Sequence, residues 1–128
     1  MGFEKKENTF FVLRSSFRNF ALIIFLVMVK HIILWKLKED LADKDSVKAE
    51  IKKGLEGLHG KIPGLKEIHV ITDGRLDSSN ADLMLDSTFE DETALKGYSV
   101  HPDHVAVADS VVRPNAETRI CMDYVIGA

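Results

Sequence analysis

The segment Tyr98-Ser99-Val100-His101-Pro102-Asp103-His104 places a phenol and two imidazoles within seven residues around a proline. Those are the groups that proton transfer needs. A histidine titrating near neutrality can remove a proton alpha to a carbonyl, and a tyrosine hydroxyl can stabilise the resulting enolate or protonate an alkoxide. Tyr98 and His104 are the candidates for that work, with Pro102 breaking the helix between them so that they can approach each other. His31 heads an apolar strand far upstream and is the third candidate, with His101 at the rim. The same residues also have structural uses: Tyr98 can pack its ring, His101 can cap a helix, His104 can bond to a neighbouring strand and His31 can be a satisfied core histidine.

Other chemistries have less to stand on. Ser99 has no base-and-elbow arrangement to make it a nucleophile, and there is no glycine-rich phosphate loop. His101, Asp103, His104 and His31 carry metal-ligating groups but lack a compact framework such as paired cysteines, so no metal and no cofactor are expected. His59 and His69 sit in turn and strand-surface patterns and are read as solvated. The single cysteine, Cys121, alternates with Ile120 and Met122 on a strand, where packing is its expected role. One cysteine excludes an intramolecular disulfide and suits a reducing compartment, so a cytoplasmic location is expected.

The elements that must position these groups follow a regular alternation. Lys30 to Leu37 is a β-branched and aromatic run of strand length, with His31, Ile33, Trp35 and Leu37 on one face and Ile32 and Leu34 on the other. A strand apolar on both faces wants cover on two sides. Asp45 to His59 sets Val47, Ile51, Leu55 and Leu58 at helical spacing, with Asp45 or Ser46 as N-cap and Gly60, Pro63 and Gly64 ending it. Leu65 to Thr72 and Ala81 to Phe89 read as strands separated by a polar loop that Asp73-Gly74 opens. Glu92 to Val100 and, after Pro102, Asp103 to Val112 read as helices, and Arg119 to Ile126 as the last strand. The order is β-α-β-β-α-β with the second helix broken at His101-Pro102.

With 128 residues and 45% hydrophobic composition the chain has room for one small domain with a modest core. A net charge of −3 gives no nucleic-acid footprint and no polybasic membrane patch. Residues 1–27 differ from the rest, holding Lys5, Lys6, Arg14 and Arg18 before the apolar run Phe20 to Val27. That run has no small-x-small cleavage site and falls short of the roughly 20 apolar residues of a spanning helix. Residues 1–27 are accordingly read as an N-terminal extension, with a hydrophobic anchor or an interfacial segment as the other readings, and residues 28–128 as the domain.

Val29-Lys30-His31 opens the first strand, Pro63-Gly64-Leu65 precedes the second, Thr88-Phe89-Glu90 closes the third, and His101-Pro102-Asp103-His104-Val105 joins the helical pieces. In this order the chain, from Met28 to about Tyr124, resembles the stress-responsive dimeric A/B barrel (Dabb) domain family. The resemblance implies an α+β, ferredoxin-like βαββαβ subunit. Its antiparallel four-stranded sheet would carry helices on one face and pair with a second copy on the other, forming a dimeric α/β barrel.

The family contains plant stress-related proteins and a polyketide cyclase that makes olivetolic acid. In that cyclase a tyrosine and the second histidine of the helix-start motif close a ring by aldol chemistry, which assigns catalysis here to Tyr98 and His104. The resemblance further places His31 and His101 in the pocket, and the strand pattern adds Ile33 and Trp35 beside His31. A further cyclase pocket histidine, six residues before the strand-three phenylalanine, falls on Leu83. That departure favours a homodimer that binds an apolar or aromatic small molecule over the alternative, a polyketide cyclase or lyase using the Tyr/His pair.

Overall fold

The computed structural model describes residues 27–126. At its centre lies β1 (Val29–Leu37), whose alternation is clean: Val29, His31, Ile33, Trp35 and Leu37 are buried, while Lys30, Ile32, Leu34 and Lys36 point to the other face. α1 (Lys44–Glu56) starts one residue before the expected Asp45, because Asp43, in extended conformation, is the residue whose carboxylate accepts from Ser46 N–H. It ends at Gly57 rather than His59 and buries Ile51 and Leu55. β2 (Leu65–Ile71) lies under α1, and Glu56 fastens the two: its carboxylate accepts from Val70 N–H at 2.8 Å, while Lys52 donates to Val70 O.

β3 (Leu83–Phe89) begins two residues later than the sequence suggested. Asp82, just before it, instead accepts from Leu37 N–H and donates its own N–H to Trp35 O, closing the end of β1. Gly64 (φ +80°) sits where a Cβ would lie 2.5 Å from that of Ala94, so the β2 entry and the next helix can touch only through glycine. That helix, α2 (Glu92–Val100), is capped by Asp91. The expected single helix from Asp103 to Val112 is two pieces: α3 (Pro102–Val107) and a π-helical turn at Ala108–Val112. β4 (Ala116–Val125) then begins three residues before the expected Arg119.

The sheet order is β2-β3-β1-β4 with every neighbour antiparallel, the ferredoxin-like arrangement expected. All helices lie on the face that carries Ile33, Trp35, Val70, Leu85 and Phe89. Among the described residues nothing covers the opposite face, and Leu34, Ile71, Ile120, Met122 and Tyr124 are exposed on it. Cys121, expected to pack, is exposed as well, because β4 is an edge strand that none of the described helices crosses. The proposed N-terminal extension lies outside the described residues apart from Val27. Among the described residues no helix is long and apolar enough to cross a membrane.

Candidate functional site

Between the helices and the β1–β4 side of the sheet lies a cavity of about 570 Å³. β1 contributes His31, Ile33 and Trp35 from its buried face; α2 contributes Tyr98 from its last turn, and α3 contributes His104. The helix break brings the last two together. His101 adopts an extended backbone, Pro102 takes the first helical position, and the redirected chain sets the His104 and Tyr98 rings 4.1 Å apart with a 34° tilt. Tyr98 also meets Phe89 at 5.0 Å and His31 edge-on at 5.9 Å, so an aromatic cluster forms the inner wall.

Two of the expected pocket residues lie elsewhere. His101 does not line the cavity; its Nδ1 accepts from Asp103 N–H and caps α3, because the N-terminus of a helix leaves backbone donors in want of a partner. Leu83 is buried opposite Trp35 in the β1–β3 pairing and belongs to the core beside the cavity rather than to its wall. Ser99 donates its hydroxyl to Lys96 O, a local helix contact.

Three residues that line the cavity each carry a buried polar atom with no hydrogen-bond partner among the described residues: Trp35 Nε1, Tyr98 OH and His104 Nδ1. Tyr98 is 1% exposed and Trp35 4%. Leaving such a group unpaired costs about 1–3 kcal/mol, so three around one cavity is a feature folding alone does not favour. Burial pushes the Tyr98 phenol far above its ordinary range, only partly opposed by the Arg119 charge, so the hydroxyl stays protonated and can donate. Burial lowers the His104 imidazole; the Ser99 backbone pulls the other way, while Arg113, His31 and Arg119 push it further down. His104 is thus kept neutral, the form a base requires.

Sequence reasoning missed the β4 residues. His31 pairs directly across the sheet with Asp123, and its Nδ1 meets Asp123 Oδ1 at 2.5 Å. Cys121, two residues back on the same face, has its Sγ 3.4 Å from the same oxygen and 3.9 Å from His31 Nδ1. Burial and then the Asp123 carboxylate push the Cys121 thiol above its usual range, which argues against a nucleophile there. Arg119 and Arg113 line the outer part of the cavity; Arg113 pairs with Asp109, and Arg119 makes no ion pair among the described residues. The signal that could have found this row is the alternation of polar Arg119, Cys121 and Asp123 with apolar Ile120, Met122 and Tyr124.

Comparison with known proteins agrees with this architecture. The profile of a family described as the stress responsive A/B barrel domain matches residues 29–126. Among solved structures, a dimeric protein of unknown function and ferredoxin-like fold from Bacteroides fragilis is 32% identical with a TM-score of 0.70, the match covering 77% of this chain and 96% of that one. A Dabb-family protein with a ferredoxin-like fold from Mesorhizobium loti is 23% identical with a TM-score of 0.62, covering 80% and 99% of the two chains. A hydroxynitrile lyase from Passiflora edulis is 21% identical with a TM-score of 0.61, covering 80% and 95%. The last two likenesses concern the fold alone. No match is found among curated protein sequences.

Proposed function

Since the chain belongs to the stress responsive A/B barrel domain family, we propose that it is a homodimer whose subunits each bind an apolar or aromatic small molecule carrying a carbonyl or carboxylate oxygen. The observation that carries this reading is the set of unpartnered atoms on the cavity wall: Trp35 Nε1 and Tyr98 OH as donors, His104 Nδ1 beside them. The apolar remainder of the wall, Ile33, Leu55 and Leu85, suits a ring or chain. Arg119 adds positive charge at the outer end, where an anionic group of the ligand would lie. The second subunit covers the open sheet face, whose exposed Leu34, Ile120 and Met122 form the kind of apolar patch an isologous interface buries. The exposed Cys121 thiol fits a reducing compartment such as the cytoplasm.

The 4.1 Å contact between Tyr98 and His104 favours a second reading in which binding leads to turnover. Neutral His104 removes a proton alpha to the ligand carbonyl and becomes imidazolium. Tyr98 donates a hydrogen bond to the enolate oxygen, and the carbanion closes on a second carbonyl of the same chain before the proton returns. This is the cyclase or lyase alternative, with a β-keto substrate.

Trp35 is the chain's only tryptophan, so the cavity carries its own reporter. Titration with an aromatic β-keto acid such as benzoylacetate should change Trp35 emission and saturate at one molecule per chain. Tyr98→Phe should weaken that binding about tenfold while leaving thermal stability level or higher, because the hydroxyl it removes has no partner among the described residues. Unchanged emission with benzoylacetate, together with no small molecule retained by the purified dimer, would refute the binding reading. Disappearance over time of a longer poly-β-keto chain, whose alpha carbanion can reach a further ketone of the same chain, abolished by His104→Ala, would select turnover over storage.

A further inference from the structure

His31, Cys121 and Asp123 bring three different metal-ligating atoms within 4.8 Å of one another on the helix side of β1 and β4. The sequence alone gives no hint of this, since 90 and 92 residues separate His31 from the other two. Strand register makes the grouping: His31 stands opposite Asp123 and Ile33 opposite Cys121, so all three side chains leave the same face of a hydrogen-bonded strand pair. From these positions we propose that the three residues form a zinc-type divalent metal site at the edge of the cavity.

The donor set decides the class of metal. A thiolate with an imidazole and a carboxylate suits zinc and its borderline neighbours, whereas magnesium and calcium take oxygen alone. The spacing is close to what tetrahedral zinc needs. Bond lengths of about 2.3 Å to sulfur and about 2.0 Å to nitrogen or oxygen set the donors roughly 3.3–3.6 Å apart. Cys121 Sγ to Asp123 Oδ1, at 3.4 Å, already fits. Cys121 Sγ to His31 Nδ1, at 3.9 Å, must close slightly, and the 2.5 Å His31–Asp123 contact must open as a metal replaces the proton between them. Asp123 and Cys121 are exposed and can make that adjustment, while buried His31 provides the fixed point. Two anionic ligands outweigh the neighbouring Arg119 charge.

Three protein ligands leave the fourth position to water or to an oxygen from the cavity, because His31 also lines the cavity wall. The site would then present a Lewis acid to whatever the cavity holds. The site is independent of that ligand's identity, and its test needs no organic molecule.

The test uses cobalt(II) as the probe on the reduced, chelator-washed full-length protein. One cobalt per chain should bind with a thiolate-to-cobalt charge-transfer absorption, and zinc should displace it stoichiometrically. Cys121→Ser should remove the absorption, and Asp123→Asn should weaken cobalt binding at least about tenfold. Both residues are exposed, so circular dichroism and dimer mass should be unchanged in either variant. Absence of the charge-transfer band, or equal cobalt affinity in wild type and Cys121→Ser, would overturn the proposal and leave only adventitious binding at surface histidines such as His59 and His69.

Discussion

The helix side of the sheet has two halves that solve the packing problem differently. Under α1 and α2, the β2–β3 half is sealed: Ile68, Val70, Leu85 and Phe89 are all 5% exposed or less. On the β4 half none of the described helices crosses the strand, and Arg119, Cys121 and Asp123 stand exposed on the same face. β1 lies between them and takes part in both, burying Val29 and Leu37 in the core while offering His31, Ile33 and Trp35 to the cavity. The described helical pieces pack over β1, β2 and β3, and the more open β4 is where ionisable groups can sit with less desolvation than in the core. The chemistry therefore collects along the seam between the covered and uncovered strands. Buried polar atoms without a partner among the described residues there belong to residues that line the cavity.

The largest effect that separates the halves is on stability. Phe89→Ala removes a fully buried ring from the sealed half and should cost about 3–5 kcal/mol in urea unfolding. His104→Ala, at the seam, should cost no more than about 1 kcal/mol, because the imidazole it deletes carries a buried nitrogen with no partner among the described residues. Similar costs for the two variants would erase the distinction and make the cavity an ordinary part of the core.

The next effect contrasts the two faces of one strand. Met122 and Cys121 are neighbours on β4, pointing to the open face and the helix side respectively. Met122→Asp should leave the isolated subunit folded, since the side chain is 65% exposed, but would set a carboxylate from each subunit into the proposed interface. A rise of at least about 100-fold in the dimer dissociation constant, about 2.7 kcal/mol, should follow, with sedimentation at micromolar concentration reporting the subunit mass. Cys121→Ser should leave the dimer intact. A Met122→Asp dimer of unchanged strength would show that the open face is not the interface.

What the sequence made legible divides along the same seam. Element order, the two-faced β1 and the proline break between Tyr98 and His104 are local patterns, carried by alternation, helical spacing and the fixed φ of Pro102. Element ends were less legible because they depend on caps: Asp43 rather than Asp45 starts α1 through one bond to Ser46 N–H. His101 has both uses open to it in sequence, and only the backbone geometry at Asp103 assigns it to capping. The pairing of His31 with Asp123 is a matter of register between strands at opposite ends of the domain, which no local pattern encodes. The exposure of Cys121 is not legible either, because strand alternation says which face a side chain takes, not whether any helix covers that face.

The smallest effect is one of acidity, and it tests whether the seam keeps His104 neutral. Burial is the main cause of its lowered pKa, with the Arg113, His31 and Arg119 charges acting in the same direction and the Ser99 backbone against them. In the unfolded chain the imidazole takes its ordinary value of about 6.5. As pH falls, the unfolded state therefore binds this proton first, and the folded state binds it only at lower pH. The contribution of His104 is fully present above about pH 6.5 and is lost as pH falls toward the folded value. Wild type should keep a constant urea midpoint relative to His104→Gln from pH 8 to pH 7, then lose ground steadily below about pH 6.5. The slope should be well below about 1.4 kcal/mol per pH unit, the limit for one whole proton. Turnover of a poly-β-keto chain should fall over the same interval, because the protonated ring can no longer accept a proton from the substrate. A wild type that instead gained on the variant at low pH would mean the cavity favours imidazolium, which removes the neutral base and with it the proton-transfer reading of the Tyr98–His104 pair.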